Sequence, residues 1–167
     1  MPTLIKWRDG AASSEADSFA RVDDDVPLPE GDVIVSLARF QREGELLLSQ
    51  QRRVGVVVEA GETVESLAYD LPRISVVALA FPKFRDGRSY STAMVLRTRL
   101  AYAGEVRAVG DVLLEQAPFM IRCGFDAFEP ADGTTADQWS RAGHRFRHVY
   151  QRAADALTPA YAERGAQ

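Results

Sequence analysis

Ile74-Ser75-Val76-Val77-Ala78-Leu79-Ala80-Phe81 runs straight into Pro82-Lys83-Phe84-Arg85-Asp86-Gly87-Arg88-Ser89. The first half is apolar apart from Ser75 and rich in β-branched residues, the pattern of a strand buried on both faces, and such strands belong to parallel sheets. Pro82 stops it, because proline has no N–H to give to a ladder. The loop then gathers charge around Gly87, and a helix is expected from near Ser89. Charge on the loop between a buried strand and a helix start is where α/β proteins commonly hold a ligand.

Working outward, Val54 to Glu59 reads as another strand, turned by Ala60-Gly61. Glu62 to Tyr69 reads as a helix ended by Leu71-Pro72. Asp32 to Phe40 fits a strand edge or a helix entry, and Gln41 to Gln51 a helix. Downstream, Ala93, Leu96, Leu100 and Ala103 form the apolar stripe of a helix over Ser89 to Tyr102, closed by Gly104 at the C′ position. Arg97 falls inside that stripe, where a charge must snorkel or find a partner. Glu105 to Val109 is a strand with Val106 and Ala108 on one face and Arg107 and Val109 on the other. Asp111 is placed as an N-cap for Val112 to Cys123, with Pro118 as an internal break and Gly124 as the cap. Phe125 to Phe128 is a last short strand. Thr134 to Leu157 reads as one long amphipathic helix carrying Trp139, Phe146, Val149 and Tyr150.

Strands and helices alternate from Val54 to Phe128, with roughly 25 residues between strands, which suits right-handed βαβ crossovers. The expected fold is a single α/β domain over 32–157 with a mainly parallel sheet, open or half-barrel-like. A closed eightfold barrel needs about 250 residues. Residues 1–31 are expected to form an irregular arm, apart from a short strand at Thr3 to Trp7 turned by Arg8-Asp9-Gly10. Within it Ala11 to Glu30 reads as a polar surface segment, with Asp23-Asp24-Asp25 a solvated face. Residues 158–167 are expected to be a frayed tail.

The chain has 167 residues, 46% hydrophobic and 26% charged, with a net charge of −4. That composition is ordinary for a globular protein and argues against a nucleic-acid-coating role. No apolar run is long enough to span a membrane, and Met1 to Gly10 lacks the apolar core of a signal peptide, so a cytoplasmic location is expected. The single Cys123 excludes an internal disulfide and a cysteine-only metal site. At the end of its helix it reads as a small buried hydrophobe, since thiolates are favoured at helix N-termini.

In a parallel sheet the loops after successive strands emerge at one edge. Lys83, Arg85, Arg88, Ser89 and Tyr90 are therefore expected to converge with Arg107 and Asp111, with Arg97 nearby. Three or four cations beside a helix N-terminus favour an anion such as sulfite, phosphate or a carboxylate. Asp86 and Asp111 are the candidates to orient the arginines or to act as acid or base. The competing reading is a set of loop salt bridges with Ser89 as an N-cap. Neither a dinucleotide fingerprint nor a phosphate loop is present, and no cofactor is expected. His144 and His148 stand one helical turn apart, but the intervening Arg145 and Arg147 oppose a divalent cation and no glutamate lies between them, so no metal is expected.

Phe81 to Ser91, Leu96-Arg97, Gly104 to Val112 and Arg122 to Phe128 together resemble a bacterial family of uncharacterised proteins whose genes lie beside assimilatory sulfite reductase. The family carries a provisional label of oxidoreductase of sulfite reduction. The resemblance implies a pathway and no mechanism. The expected function is an accessory protein or small enzyme of that pathway that binds a small oxyanion. One alternative is a non-catalytic module that docks on sulfite reductase. Another is a barrel-like enzyme for a phosphorylated or carboxylated metabolite.

Overall fold

The computed structural model describes residues 4–164. Eight strands form one sheet in the order β2-β1-β8-β7-β6-β5-β4-β3. They are β1 (Leu4–Arg8), β2 (Ala11–Glu15), β3 (Phe19–Arg21), β4 (Asp32–Ser36), β5 (Val54–Val58), β6 (Val76–Phe81), β7 (Glu105–Gly110) and β8 (Ala127–Phe128). From β3 to β8 every neighbouring pair is parallel, whereas β1 runs antiparallel to both β8 and β2. The sheet is thus mixed, which corrects the expectation of a mainly parallel one. The difference comes from the N-terminal hairpin, whose turn residues Asp9 and Gly10 both have positive φ. That pair makes the tight two-residue connection that fits the twist of antiparallel strands.

Ala11 to Glu30 is not a surface segment throughout, since it contributes β2 and β3, the two edge strands of the sheet. Their polar, short sequences hide the pattern. Only Ala16, Asp17 and Ser18 separate the end of β2 from the start of β3. Such a link spans at most about 14 Å. Eight strands laid flat would put those edges roughly 34 Å apart. The sheet therefore curls into an open half-barrel, with the link crossing the end where the parallel strands begin.

Strand alternation sorts the side chains. Val33, Val35, Val54, Val56, Val77, Leu79, Phe81, Val106, Ala108 and Phe128 face outward into the main core. Ile34, Val76, Ala78, Ala80 and Val109 line the concave face. All six residues of β6 are buried, as its sequence requires. The outer face is covered by α1 (Leu37–Ser49), α2 (Arg88–Met94), α3 (Ala117–Cys123) and α4 (Ala136–Gly143). Ser36 caps α1 by accepting the Arg39 N–H at 3.0 Å.

Four expected helices come out differently. Glu62 to Tyr69 holds only a 3₁₀ turn, Val64–Leu67, followed by a second at Leu71–Arg73. In a 3₁₀ turn residues i and i+3 eclipse, and this buries Val64 and Leu67 together. The helix after β6 becomes π-helical at Val95–Arg99, where the Leu100 N–H reaches Val95 O at 3.0 Å. It ends at Leu100, and Ala101, not Gly104, takes the positive φ. Val112 to Cys123 begins with a 3₁₀ turn at Leu114–Gln116, and Pro118 sits in the first turn of α3; Gly124 does close it in the left-handed conformation.

The long helix expected over Thr134 to Leu157 stops at Gly143. A Cβ there would run into the Trp7 ring. His144, the next residue, lies against the same indole and bonds Gly10 O. Trp139 is fully buried and stacks on Phe128 at 4.3 Å. Phe146 and Tyr150, expected on the same stripe, are exposed. A short helix, α5 (Ala160–Glu163), follows a bridge between Val149 and Pro159 in the stretch expected to fray. Thr3 and residues 165–167 lie outside the described part.

Candidate functional site

The two ends of the curl differ in chemistry. At the end where the parallel strands start, Arg107 lies inside the concave face, 1% exposed. It donates to Asp17 at 2.6 Å, to Glu105 at 2.7 Å and to Glu129 at 3.2 Å. Lys6 pairs with Glu105, and Arg53 with Asp32 at 2.6 Å. Burial pulls the Arg107 pKa down, but the carboxylates of Asp17 and Glu105 more than offset this and leave it raised. The guanidinium therefore stays charged and fully engaged, with Asp17 tying the β2–β3 link to β7.

Arg97 sits at this same edge. It donates to Gly124 O at 2.9 Å, Tyr102 O at 2.7 Å and Gly104 O at 2.8 Å, and to Asp126 at 3.1 Å. The π turn swings the side chain toward the start of β7. Burial raises the Asp126 pKa against the pull of Arg97. Arg97 and Arg107 are thus structural cations, far in role from the anion set in which the sequence placed them.

At the opposite end, where the parallel strands finish, a pocket of about 440 Å³ opens. Its wall includes Arg21, Asp23, Asp24, Ser36, Glu59, Ala80, Pro82, Val109 and Gly110. Arg21 donates to Glu129 at 3.1 Å, and Ser36 donates to Asp24 at 2.6 Å. Through that contact a carboxylate already occupies the N-terminal end of α1, where the helix dipole favours it.

The loops after β6 and β7 do meet at this edge. Asp111 accepts the Phe84 N–H at 2.7 Å across 27 positions of sequence. Asp111 is therefore a loop tie and not the N-cap expected of it. Asp86 and Arg88 form a bidentate pair, Nε at 2.9 Å and Nη2 at 2.6 Å. The side-chain and backbone bonds from Arg88 hold the Asp86 pKa down to about 2. Arg88 also lies over Gly61, on the loop after β5. Lys83 and Arg85 are exposed, and neither makes a side-chain ion pair or hydrogen bond among the described residues.

Ser89 and Tyr90 have turned inward. Ser89 is buried and donates to Ala80 O at 2.6 Å rather than capping the helix. Tyr90 packs edge-on to Phe81 and Phe125, and burial raises its pKa. Cys123 ends α3, half-buried, with its thiol pKa pushed up by burial. His144 and His148 no longer share a helix; His148 pairs with Glu163 at 3.0 Å. Among the described residues no set of three His, Cys, Asp or Glu side chains is placed to hold a metal.

The seven expected anion ligands therefore divide. Lys83, Arg85 and Arg88 share the edge that carries the pocket, Ser89 and Tyr90 pack beneath it, and Arg97 and Arg107 serve the other end. Sequence reasoning missed Arg21, Ser36 and Glu59. Each stands at or just past the finishing end of a parallel strand, the position that signals a ligand-facing residue in α/β sheets.

No described helix is long and apolar enough to cross a membrane. No curated protein matches the chain, and no solved structure does. Residues 55–161 match the model of a family described as "Bacterial protein of unknown function (DUF934)". The match takes in β5 to β8, the charged loop and α2 to α4, well over half of the chain, and the protein belongs to that bacterial family.

Proposed function

We propose that the protein binds a small oxyanion at the finishing edge of its parallel strands, as an accessory protein or small enzyme of assimilatory sulfite reduction. One observation carries the binding reading: among the described residues Lys83 and Arg85 are exposed and unpaired, on the loop that leaves the pocket wall at Pro82 and is pinned by Asp111 and by the Asp86–Arg88 pair. Paired cations stabilise a fold, whereas unpaired ones on an ordered loop are open to an anion. The pathway is attached by the likeness of Phe81 to Ser91 and Gly104 to Val112 to proteins encoded beside sulfite reductase.

A second reading is favoured by size. A pocket of about 440 Å³ falls in the range of roughly 300–1,000 Å³ that holds a metabolite, well above what a bare oxyanion fills. Asp23, Asp24 and Glu59 would accept bonds from hydroxyl or amino groups, while Lys83 and Arg85, on the loop after Pro82, would reach a phosphate or carboxylate that extends out of the pocket.

Thermal shift separates the two, because a ligand that binds the native state raises its apparent stability. Sulfite, sulfate and phosphate are compared with phosphate esters and sugar acids. Stabilisation by sulfite alone supports the first reading, and stabilisation by an ester alone supports the second. In either case the gain should vanish in the Lys83→Ala/Arg85→Ala double variant. A gain that survives this double change places the site elsewhere.

A further inference from the structure

Residues 138–154 hold four arginines, Arg141, Arg145, Arg147 and Arg152, and no Asp or Glu, on a chain whose net charge is −4. All four are exposed, and among the described residues none has a carboxylate within ion-pair distance. Arg122 shows the contrast, being held by Asp155 at 2.9 Å and by Gln151 O at 2.6 Å. Those bonds, with buried Val149 bridged to Pro159, tie down the part of the segment after Gly143, where α4 has ended.

Beside it a groove of about 330 Å³ runs between α3 and α4. Leu114, Pro118 and Ala142 supply its apolar part, Arg141 and Arg145 stand on its wall, and Glu115 is the one acid that lines it. Phe119 and Phe146, both exposed, meet edge to face at 5.5 Å. Aromatic and arginine side chains on an ordered surface are the residue types that dominate protein interfaces. A surface ordered in advance also loses less entropy on binding.

We propose that this groove docks an acidic segment of a partner protein, one that places an apolar side chain between Leu114 and Pro118 and its carboxylates on Arg141 and Arg145. Charge complementarity selects the occupant: the arginines lack internal acids. The acidic remainder of the chain repels an extended polyanion such as a nucleic acid. The site shares no lining residue with the pocket at the strand ends, so either can fail without the other.

The test is fluorescence anisotropy with a labelled synthetic peptide of glutamates interrupted by single leucine and phenylalanine residues. An all-glutamate peptide and a labelled oligothymidylate serve as comparison probes. The mixed peptide should bind the full chain best, and added salt should weaken it. Arg141→Glu/Arg145→Glu, two exposed positions, should weaken it by about tenfold or more with an unchanged circular dichroism spectrum. Lys83→Ala/Arg85→Ala should leave it unchanged. Absence of binding to the mixed peptide overturns the proposal, as does undiminished binding by the charge-reversed variant. Tighter binding of oligothymidylate than of the peptide overturns it in favour of nucleic acid.

Discussion

The two ends of the curled sheet carry the same kinds of side chain and use them oppositely. Toward the end where the parallel strands begin, Arg107, Lys6 and Arg53 are matched by Asp17, Glu105 and Asp32, and Glu129, just past β8, takes both Arg107 and Arg21. Where they finish, Lys83 and Arg85 have no ion-pair partner among the described residues, on the loop that follows Pro82 of the pocket wall. A buried cation is stable only with its partners, so the first end is a clasp that holds the curl shut. An exposed cation on a pinned loop adds little to stability, and its use must be sought in binding. Partnership, more than charge, separates structure from function here.

The clasp can be broken most directly at Arg107. Arg107→Ala leaves Asp17, Glu105 and Glu129 close together without their shared cation, and removing one partner of a buried pair costs about 3–5 kcal/mol. Urea unfolding should show this as a lowered midpoint. A loss below about 1 kcal/mol would mean that the carboxylates relax into water and that the end is no clasp. Arg97→Lys is a smaller injury to the same edge. The lysine keeps the charge but loses the fork that reaches three carbonyls and Asp126. Hydrogen bonds from charged groups are worth about 1.5–3 kcal/mol each, and part of that sum survives. A drop of roughly 2 kcal/mol is expected in the same assay, and an unchanged midpoint would make the π turn incidental.

This contrast explains what the sequence made legible. The run Val76 to Phe81 announces a doubly buried parallel strand, because nothing polar interrupts it. The alternation in β7 correctly put Arg107 opposite Val106. What a single sequence does not carry is the partner, since Asp17 lies 90 positions away in a polar stretch with no strand pattern. The same blindness hid β2 and β3, whose edge positions need few apolar residues. The long C-terminal helix failed for a tertiary reason: the Trp7 ring occupies the space beside Gly143 and turns the chain. Of the site, the charged loop and its meeting with Asp111 were readable from topology. Ser36 and Glu59 were not picked out, because isolated polar residues at strand ends look like ordinary caps.

Smaller effects sharpen the other side of the comparison. Thr135→Ala removes a capping box on α4, in which Thr135 accepts from Gln138 N at 3.4 Å and the Gln138 side chain accepts from Thr135 N at 2.8 Å. About 1 kcal/mol should be lost, by an element that lines neither the pocket nor the Arg107 cluster, so ligand-induced stabilisation should persist in full. If it disappears, α4 is coupled to the pocket.

The least change is expected at the Asp86–Arg88 pair, whose arginine is exposed at the surface. Its hydrogen bonds still lower the Asp86 pKa from 3.8 to about 2. A depressed carboxylate contributes above the unfolded value and loses that contribution as pH falls through the folded one. The loop should therefore keep its shape above about pH 4 and loosen between there and about pH 2. Carbon-detected NMR of the Asp86 carboxyl should give its midpoint near about 2, moving toward 3.8 in Arg88→Ala. An unshifted midpoint in that variant would show that Arg88 is not the partner. Arg88 would then count with Lys83 and Arg85 as a cation free to meet an anion, and the unmatched end would hold three such groups instead of two.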